Sequence, residues 1–475
     1  MQVEYDLVVI GTGPAGEKAA AQAAYFGKRV AAIERAAEPG GAGTHTGTVP
    51  SKTLREASMY LSGYRSRDMY GIAVELEPTA TLPRLMSRKS AIEESESKRI
   101  QHNLDRHGVT CLRGIGGFLD SHTVLVANED SARRVTASVI LIATGSRPAH
   151  PEGIDFTDDL IHDSDEVLDI ERIPSSLLIL GAGVIGCEYA CMFAALGVKV
   201  TLVDARDSLL TFLDHDMVEQ LMISMRRLGV VIRLGLAWNT VRREGDGVVV
   251  AFDKGEEISA EHLLYAAGRE GRTHDLNLQS VGLQADRRGY LHVNERYETR
   301  VPNILAAGDV IGFPALAATS MEQGRVAVCH AFGFAYKKSV ADLVPYGIYT
   351  IPEVSSFGET EATCREKGIS FVAGSARYAE NARGKIAGDT EGVLKLLVDR
   401  QTRRLVGVHV IGERATELVH IGQAVVHLGG TVDTFIEMVF NFPSLAEAYK
   451  YAAYECLAQL AKPPAVALAQ VPKPA

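Results

Sequence analysis

The chain has 475 residues, too many for one hydrophobic core and enough for about three domains of typical size. Hydrophobic residues make up 46% and charged residues 23%, the balance of an ordinary globular protein, while 59 acids against 49 Lys plus Arg give a net charge of −10 and no basic stripe for nucleic acid. No apolar run reaches the roughly 18 residues of a membrane span, the opening MQVEYDLVVIG carries no secretory signal, and six scattered cysteines without a C-x-x-C pattern fit a reducing, cytoplasmic location.

Residues 4–10 read as a buried strand, 14–26 as an Ala-rich helix and 28–34 as a second strand. The turn of this βαβ unit carries Gly11, Gly13 and Gly16, and its second strand ends on Glu34. Helical spacing follows over 50–64 and about 87–107, then a β-rich stretch over 109–147 that ends in VILIATGSRP. Pro148 and Pro151 punctuate the chain before a linker to about residue 175. A second βαβ unit opens at Ser176 with Gly181, Gly183 and Gly186 in its turn and closes on Asp204. More strands follow and end at 262–270, with a short strand at 303–309 and a helix over about 317–332. From 341 a Pro-rich stretch begins a new unit of strands (LKLLVDR, LVGVHVIG) and helices (413–428, 443–460), and the Pro/Ala-rich tail is expected to be disordered.

The Gly-x-Gly-x-x-Gly fingerprint thus occurs twice, 170 residues apart, with an acid at the same offset after each copy. The first glycine permits a tight turn, the second lets backbone approach a pyrophosphate, and the third lets helix pack on strand. The helix that follows offers oriented N–H groups and partial positive charge to a diphosphate. Glu34 and Asp204 are placed to accept hydrogen bonds from ribose hydroxyls. Two such units imply two dinucleotides on one polypeptide and electrons passing between them. A carboxylate at Asp204 repels a 2′-phosphate and favours NAD. Arg206 is either a phosphate ligand that admits NADP or an exposed loop arginine.

With GTGPAG, GGAGTHTGTVPSK, LIATGSRP, GAGVIGCEYA, YAAGR and AAGDVIG in this order, residues 4 to about 460 resemble the flavin-dependent pyridine nucleotide–disulfide oxidoreductases. The resemblance implies an α/β chain with two Rossmann-like dinucleotide-binding domains, for FAD and NAD(P), and a C-terminal α+β domain that makes a homodimer. The expected boundaries are 1–150 and 273–340 for the two parts of the FAD domain, 151–272 for NAD(P), 341–462 for dimerisation and 463–475 for the tail. FAD is expected on Gly11, Gly13, Pro14, Ala15, Gly16 and Glu34, on Gly41, Thr44, Thr48 and Lys52 of the following loop, and on Ala143, Thr144, Gly145, Asp309 and Ala317. NAD(P) is expected on Gly181, Gly183, Val184, Ile185, Gly186, Glu188, Asp204, Arg206, Gly268 and Arg269. No metal is expected.

Family members usually carry a redox cysteine pair where this chain has Gly43 and Thr48, and a C-terminal His-Pro where it has Phe442-Pro443. Both halves of the thiol apparatus are therefore missing together. The hydride half is retained: Lys52 matches the lysine beside flavin N5, where an ammonium stabilises negative charge, and Glu188 matches its partner. His45 reads either as a donor to the flavin region or as a packed structural histidine. The loop and the NFPSLAEAY stretch look most like the soluble pyridine nucleotide transhydrogenases, although those commonly keep the cysteine replaced by Gly43. The resemblance implies Si-specific, ping-pong transfer between NADPH and NAD through FAD, with Phe442, Pro443 and Glu447 near the partner's flavin. An NAD(P)H dehydrogenase acting on a quinone, metal ion or oxygen and a non-catalytic redox sensor are the rival readings.

Overall fold

The computed structural model describes residues 4–63, 70, 71 and 78–462; the tail expected at 463–475 lies outside them. The chain forms two compact units, Met1–Ser208 with Gly229–Asp342, and Leu209–Leu228 with Leu343–Ala475.

The first unit holds two parallel sheets. Strand Tyr5–Ile10 is central in one of them, because Leu7, Val8 and Val9 are fully buried, as in a parallel sheet covered on both faces. It pairs in parallel with Val30–Glu34 and with Ala132–Ile142. Val30–Glu34 carries Thr110–Arg113 on its outer side, and Ala132–Ile142 also accepts Ile304–Ala306 in parallel. The segment after residue 273 therefore returns to the first sheet. Helix Pro14–Tyr25 starts with Pro at a first-turn position and continues in alanines, both favourable to helix. Its small side chains let helix Ala317–Phe332 approach closely: a Cβ on Gly324 would stand 2.2 Å from the Ala15 carbonyl oxygen.

In the second sheet Ser176–Leu180 lies between Lys199–Asp204 and His262–Tyr265, all parallel. Val231–Leu234 extends one side and Ile161–His162 the other. The fingerprint strand thus sits where strand order reverses, the position at which such sheets bind ligands. Helix Val184–Ala195 is apolar around its circumference and buried accordingly.

The other unit is built on a five-stranded antiparallel sheet, in the order Tyr346–Ile348, Val354–Gly358, Leu405–Ile411, Val393–Asp399, Phe371–Arg377. Helices Ala415–His427 and Ala448–Leu460 cover it, with Phe435 stacked on Tyr449 at 4.8 Å in the core. The last helix starts later than the expected 443, because the Ser444 hydroxyl accepts from the Ala446 amide and holds a separate turn at Leu445–Glu447. Helix His215–Arg227, absent from the sequence reading, also belongs to this unit. Lys395, 3% exposed, binds Asp214 (3.0 Å), Asp216 (2.7 Å) and Glu361 (2.7 Å), and Ser224 donates to Glu391.

Candidate functional site

The two fingerprint turns repeat one geometry. Gly11 has φ +104°, and a Cβ there would lie 2.4 Å from the Ala143 carbonyl oxygen; Gly181 has φ +110° and meets Ala266 and Ala267 backbone at 2.7–2.8 Å. At Gly16 and Gly186 a Cβ would sit 1.9 Å and 1.8 Å from the carbonyl oxygen of the first glycine. Packing alone requires these four. The middle glycines differ. Gly13 and Gly183 have ordinary φ values of −65° and −79°. A Cβ would meet nothing closer than 3.8 Å at Gly13 and nothing within 4 Å at Gly183. The space in front of them, at helix N-termini led by Pro14-Ala15 and Val184-Ile185 without side-chain caps, fits the close approach of a diphosphate. Beside the first turn, Thr144 Oγ1 is buried and makes no hydrogen bond among the described residues, so a polar ligand atom has a partner waiting.

The two acids also repeat. Glu34 accepts from the Thr12 amide and the Ala36 amide, both at 3.0 Å. Asp204 accepts from the Ala182 amide at 2.6 Å and the Arg206 amide at 2.9 Å. Each carboxylate therefore pins its glycine turn to the end of the next strand, a role that sequence reasoning missed. Arg206 further grips Asp204 through Nε (2.9 Å) and Nη2 (2.7 Å). Burial alone would raise the Asp204 carboxyl, but the guanidinium and the two amides outweigh it and hold the group below its ordinary value.

The loop between the nucleotide units folds as helices Gly41–His45 and Thr48–Leu61. Gly41 packs on the first turn, since a Cβ there would stand 2.8 Å from Gly13 Cα. At Gly43 a Cβ would stand 2.9 Å from Pro14 Cγ, so glycine lets this loop close on the fingerprint helix. Thr44 is buried and Thr48 exposed. His45 donates from Nε2 to the Pro39 carbonyl at 3.0 Å, which gives it a structural partner. Lys52 Nζ reaches Glu188 Oε2 at 2.6 Å across 136 residues, with side chains 25% and 10% exposed.

Asp309 accepts from Ser146 Oγ (3.1 Å) and Ser320 Oγ (3.2 Å). Ser146 Oγ in turn receives Arg269 Nε at 2.9 Å, and Arg269 also donates to the Ser146 carbonyl. The Asp309 and Arg269 motifs are thus joined through Ser146, which the sequence did not single out. Gly145 turns the chain at φ +70°, and its carbonyl receives the Arg272 amide. Gly268 precedes Arg269 with Ala149 Cβ and Arg288 Nη2 each 3.8 Å from a Cβ, and Ala317 begins its helix. Asp165, near Arg269 and Arg272, was also missed; burial raises its carboxyl despite the nearby cations.

In the other unit Phe442 is 74% and Val439 93% exposed, and Tyr451 and Tyr454 of the last helix are exposed as well. Glu447 accepts from Tyr451 Oη at 3.4 Å. Pro443 follows Phe442 in that segment. Among the described residues no helix is long and apolar enough to cross a membrane, and no group of three or more His, Cys, Asp or Glu is placed to hold a metal.

Residues 5–324 match the family model described as pyridine nucleotide-disulphide oxidoreductase, and residues 344–453 match its dimerisation domain. A soluble pyridine nucleotide transhydrogenase of Mycobacterium bovis is 48% identical over 458 residues, covering 96% of this chain and 97% of the relative. One from Colwellia psychrerythraea is 41% identical over 461 residues, covering 96% and 99%. Among solved structures, the HOCl-induced flavoprotein disulfide reductase RclA of Escherichia coli superposes with a TM-score of 0.86 at 28% identity, covering 96% of this chain and 99% of that one. LpdA of Mycobacterium tuberculosis gives 0.86 at 28%, covering 94% and 99%.

Proposed function

Because the chain belongs to the pyridine nucleotide-disulphide oxidoreductase family, whose cofactors are FAD and NAD(P), we propose that it is a Si-specific transhydrogenase. It converts NADPH and NAD+ to NADP+ and NADH, the two nucleotides visiting one site in turn. FAD, when bound, takes two electrons from one pyridine nucleotide and returns them to the next. The observation that carries the reading is the Lys52–Glu188 ion pair at 2.6 Å, with Gly43 and Thr48 standing in the Lys52 loop where family members usually carry the redox cysteine pair. The chain keeps the charged pair beside the flavin position and lacks the next carrier, so the acceptor must come to the same place.

The residues divide the work. The first turn, with Glu34, Gly41, Thr44, Thr48, Thr144, Asp309 and Ala317, holds FAD, and the second, with Asp204, Arg206, Gly268 and Arg269, holds the pyridine nucleotide. Lys52 presents a positive charge to the flavin ring, and Glu188 fixes its direction. Ser146, shared by Asp309 and Arg269, keeps the two binding motifs in register. The enzyme works as a cytoplasmic homodimer, with Phe442, Pro443 and Glu447 closing the partner's flavin site. The exposed Phe442 ring supports this placement, since an apolar side chain left in water gains by burial.

Purified holoenzyme is mixed anaerobically with NADPH and a spectrally distinct NAD analogue. Reduction of the analogue is expected. Rapid flavin bleaching without it would refute transhydrogenation and leave a dehydrogenase; no bleaching by NADPH or NADH would leave a binding protein.

A further inference from the structure

One site that takes NAD(H) and NADP(H) in turn meets a conflict at the adenosine ribose. A carboxylate that accepts from the 2′-hydroxyl repels a 2′-phosphate at the same place. The ribose end of the second turn carries both charges in contact. Asp204, 8% exposed, is held by the Ala182 and Arg206 amides. Arg206 closes on it with two parallel hydrogen bonds, 2.9 Å and 2.7 Å, the fork geometry that guanidinium makes with carboxylate or phosphate. The two partners differ in freedom. Asp204 is fixed by backbone, whereas the Arg206 side chain is 50% exposed and, among the described residues, its guanidinium hydrogen-bonds to Asp204.

We propose that Asp204 and Arg206 form a switchable selector that lets one site accept both nucleotides. With NAD(H), the guanidinium stays on Asp204, which still has lone pairs for the 2′-hydroxyl. With NADP(H), the guanidinium turns from Asp204 to the 2′-phosphate, exchanging one anionic partner for another of the same geometry. Its charge lies between the two anions in that arrangement. The selector rests on the reading that the second turn holds the pyridine nucleotide.

The test is titration of FAD-loaded protein with NAD+ and with NADP+, followed by calorimetry. Arg206→Met is expected to weaken NADP+ about 10- to 100-fold, the worth of charge-assisted hydrogen bonds, and NAD+ by less than about threefold. Asp204→Asn should weaken NAD+ and leave NADP+ equal or tighter. In the double variant, NADP+ should recover part of the loss seen in Arg206→Met, because the exposed carboxylate is gone. Raising salt should weaken NADP+ more than NAD+ in the wild type and erase that difference in Arg206→Met. Arg233→Met, which removes a cation of the neighbouring strand Val231–Leu234 that pairs with Glu256, controls for net charge. Equal losses of NAD+ and NADP+ in Arg206→Met, or an NADP+ loss matched by Arg233→Met, would overturn the selector while leaving the site standing. A wild type that binds neither nucleotide would overturn the reading beneath it. The flavin spectrum and melting temperature report folding, and Arg206→Lys, which keeps the charge without the fork, should fall between wild type and Arg206→Met.

Discussion

Replacing Lys52 tests the charged pair on which the proposed chemistry turns, provided stability and rate are read separately. In Lys52→Met the Glu188 carboxylate, whose side chain is 10% exposed, loses an ammonium 2.6 Å away. Breaking a fully buried pair costs about 3–5 kcal/mol. Lys52 is a quarter exposed, so solvent screens part of this and about 2 kcal/mol is expected. The kinetic effect has another origin. A preorganised charge aimed at developing negative charge is worth about 3–4 kcal/mol, which at about 1.4 kcal/mol per decade is a rate loss of roughly 100- to 1,000-fold. Glu188→Gln keeps the cation and should slow the reaction only about tenfold. The double variant, with neither charge, should regain most of the stability and none of the rate. Anaerobic stopped-flow bleaching by NADPH measures the rate, chemical denaturation the stability, and the absorption spectrum the FAD content. Unchanged bleaching in Lys52→Met would refute the role. So would a double variant whose rate recovers together with its stability, since the lysine would then act only by holding the fold.

The glycines separate packing from ligand contact: Gly13→Ala and Gly183→Ala should fold normally but lose FAD and NAD(P) affinity respectively, whereas Gly16→Ala, with its Cβ 1.9 Å from a carbonyl oxygen, should lower the melting temperature. Retained FAD binding in Gly13→Ala would show that the open space is not used. His262 Nε2 is buried without a hydrogen-bond partner among the described residues, its Nδ1 faces His162 at 2.7 Å, and burial, with His162 and Arg172, outweighs Asp158 and Asp159 and lowers its pKa to about 4. The neutral ring is favoured on folding, so stability is full above about pH 6.5 and falls by on the order of 1–2 kcal/mol as pH drops towards 4; His262→Gln should flatten that part of the melting curve against pH, and an unchanged slope would contradict it. Lys395→Met should destabilise the protein by about 3–5 kcal/mol, because Asp214, Asp216 and Glu361 lose their shared cation; a melting temperature within about 2 °C of wild type would refute the clamp.

Features that depend on a few consecutive residues were legible in the sequence. The glycines at 16 and 186 are demanded by the carbonyl of the first glycine within each βαβ unit, and the spacing states that demand directly; those at 11 and 181 belong to the same pattern, although the backbone they meet, at Ala143 and at Ala266–Ala267, comes from far along the chain. Lys52 and Glu188 are 136 residues apart, and no local pattern joins them; only the family resemblance did. Ser146 carried no signal, because a serine that bridges Arg269 and Asp309 looks like any other serine until three distant segments meet. Helix His215–Arg227 buries Met217, Val218, Leu221 and Met225, a helical face that was readable. Its membership of the C-terminal unit was not, since that is set by Lys395, far along the chain.

The duplication itself shows where the two fingerprint turns part ways. In both copies the acid accepts from the amide after the first glycine and from the amide two residues beyond itself, so the backbone frame is the same. The residue supplying that last amide is Ala36 in the first copy and Arg206 in the second. In the proposed assignment the first turn takes FAD, which carries no 2′-phosphate in any of its forms, so Glu34 could present a carboxylate without a paired cation to the ribose and not exclude that ligand. A pyridine nucleotide comes with or without that phosphate, and there a bare carboxylate would exclude one of the two. The frame that pins the turn has no freedom to move the acid aside, because moving it would release the Ala182 amide. The proposed selector, a guanidinium that exchanges Asp204 for the phosphate, would resolve the conflict without disturbing the turn.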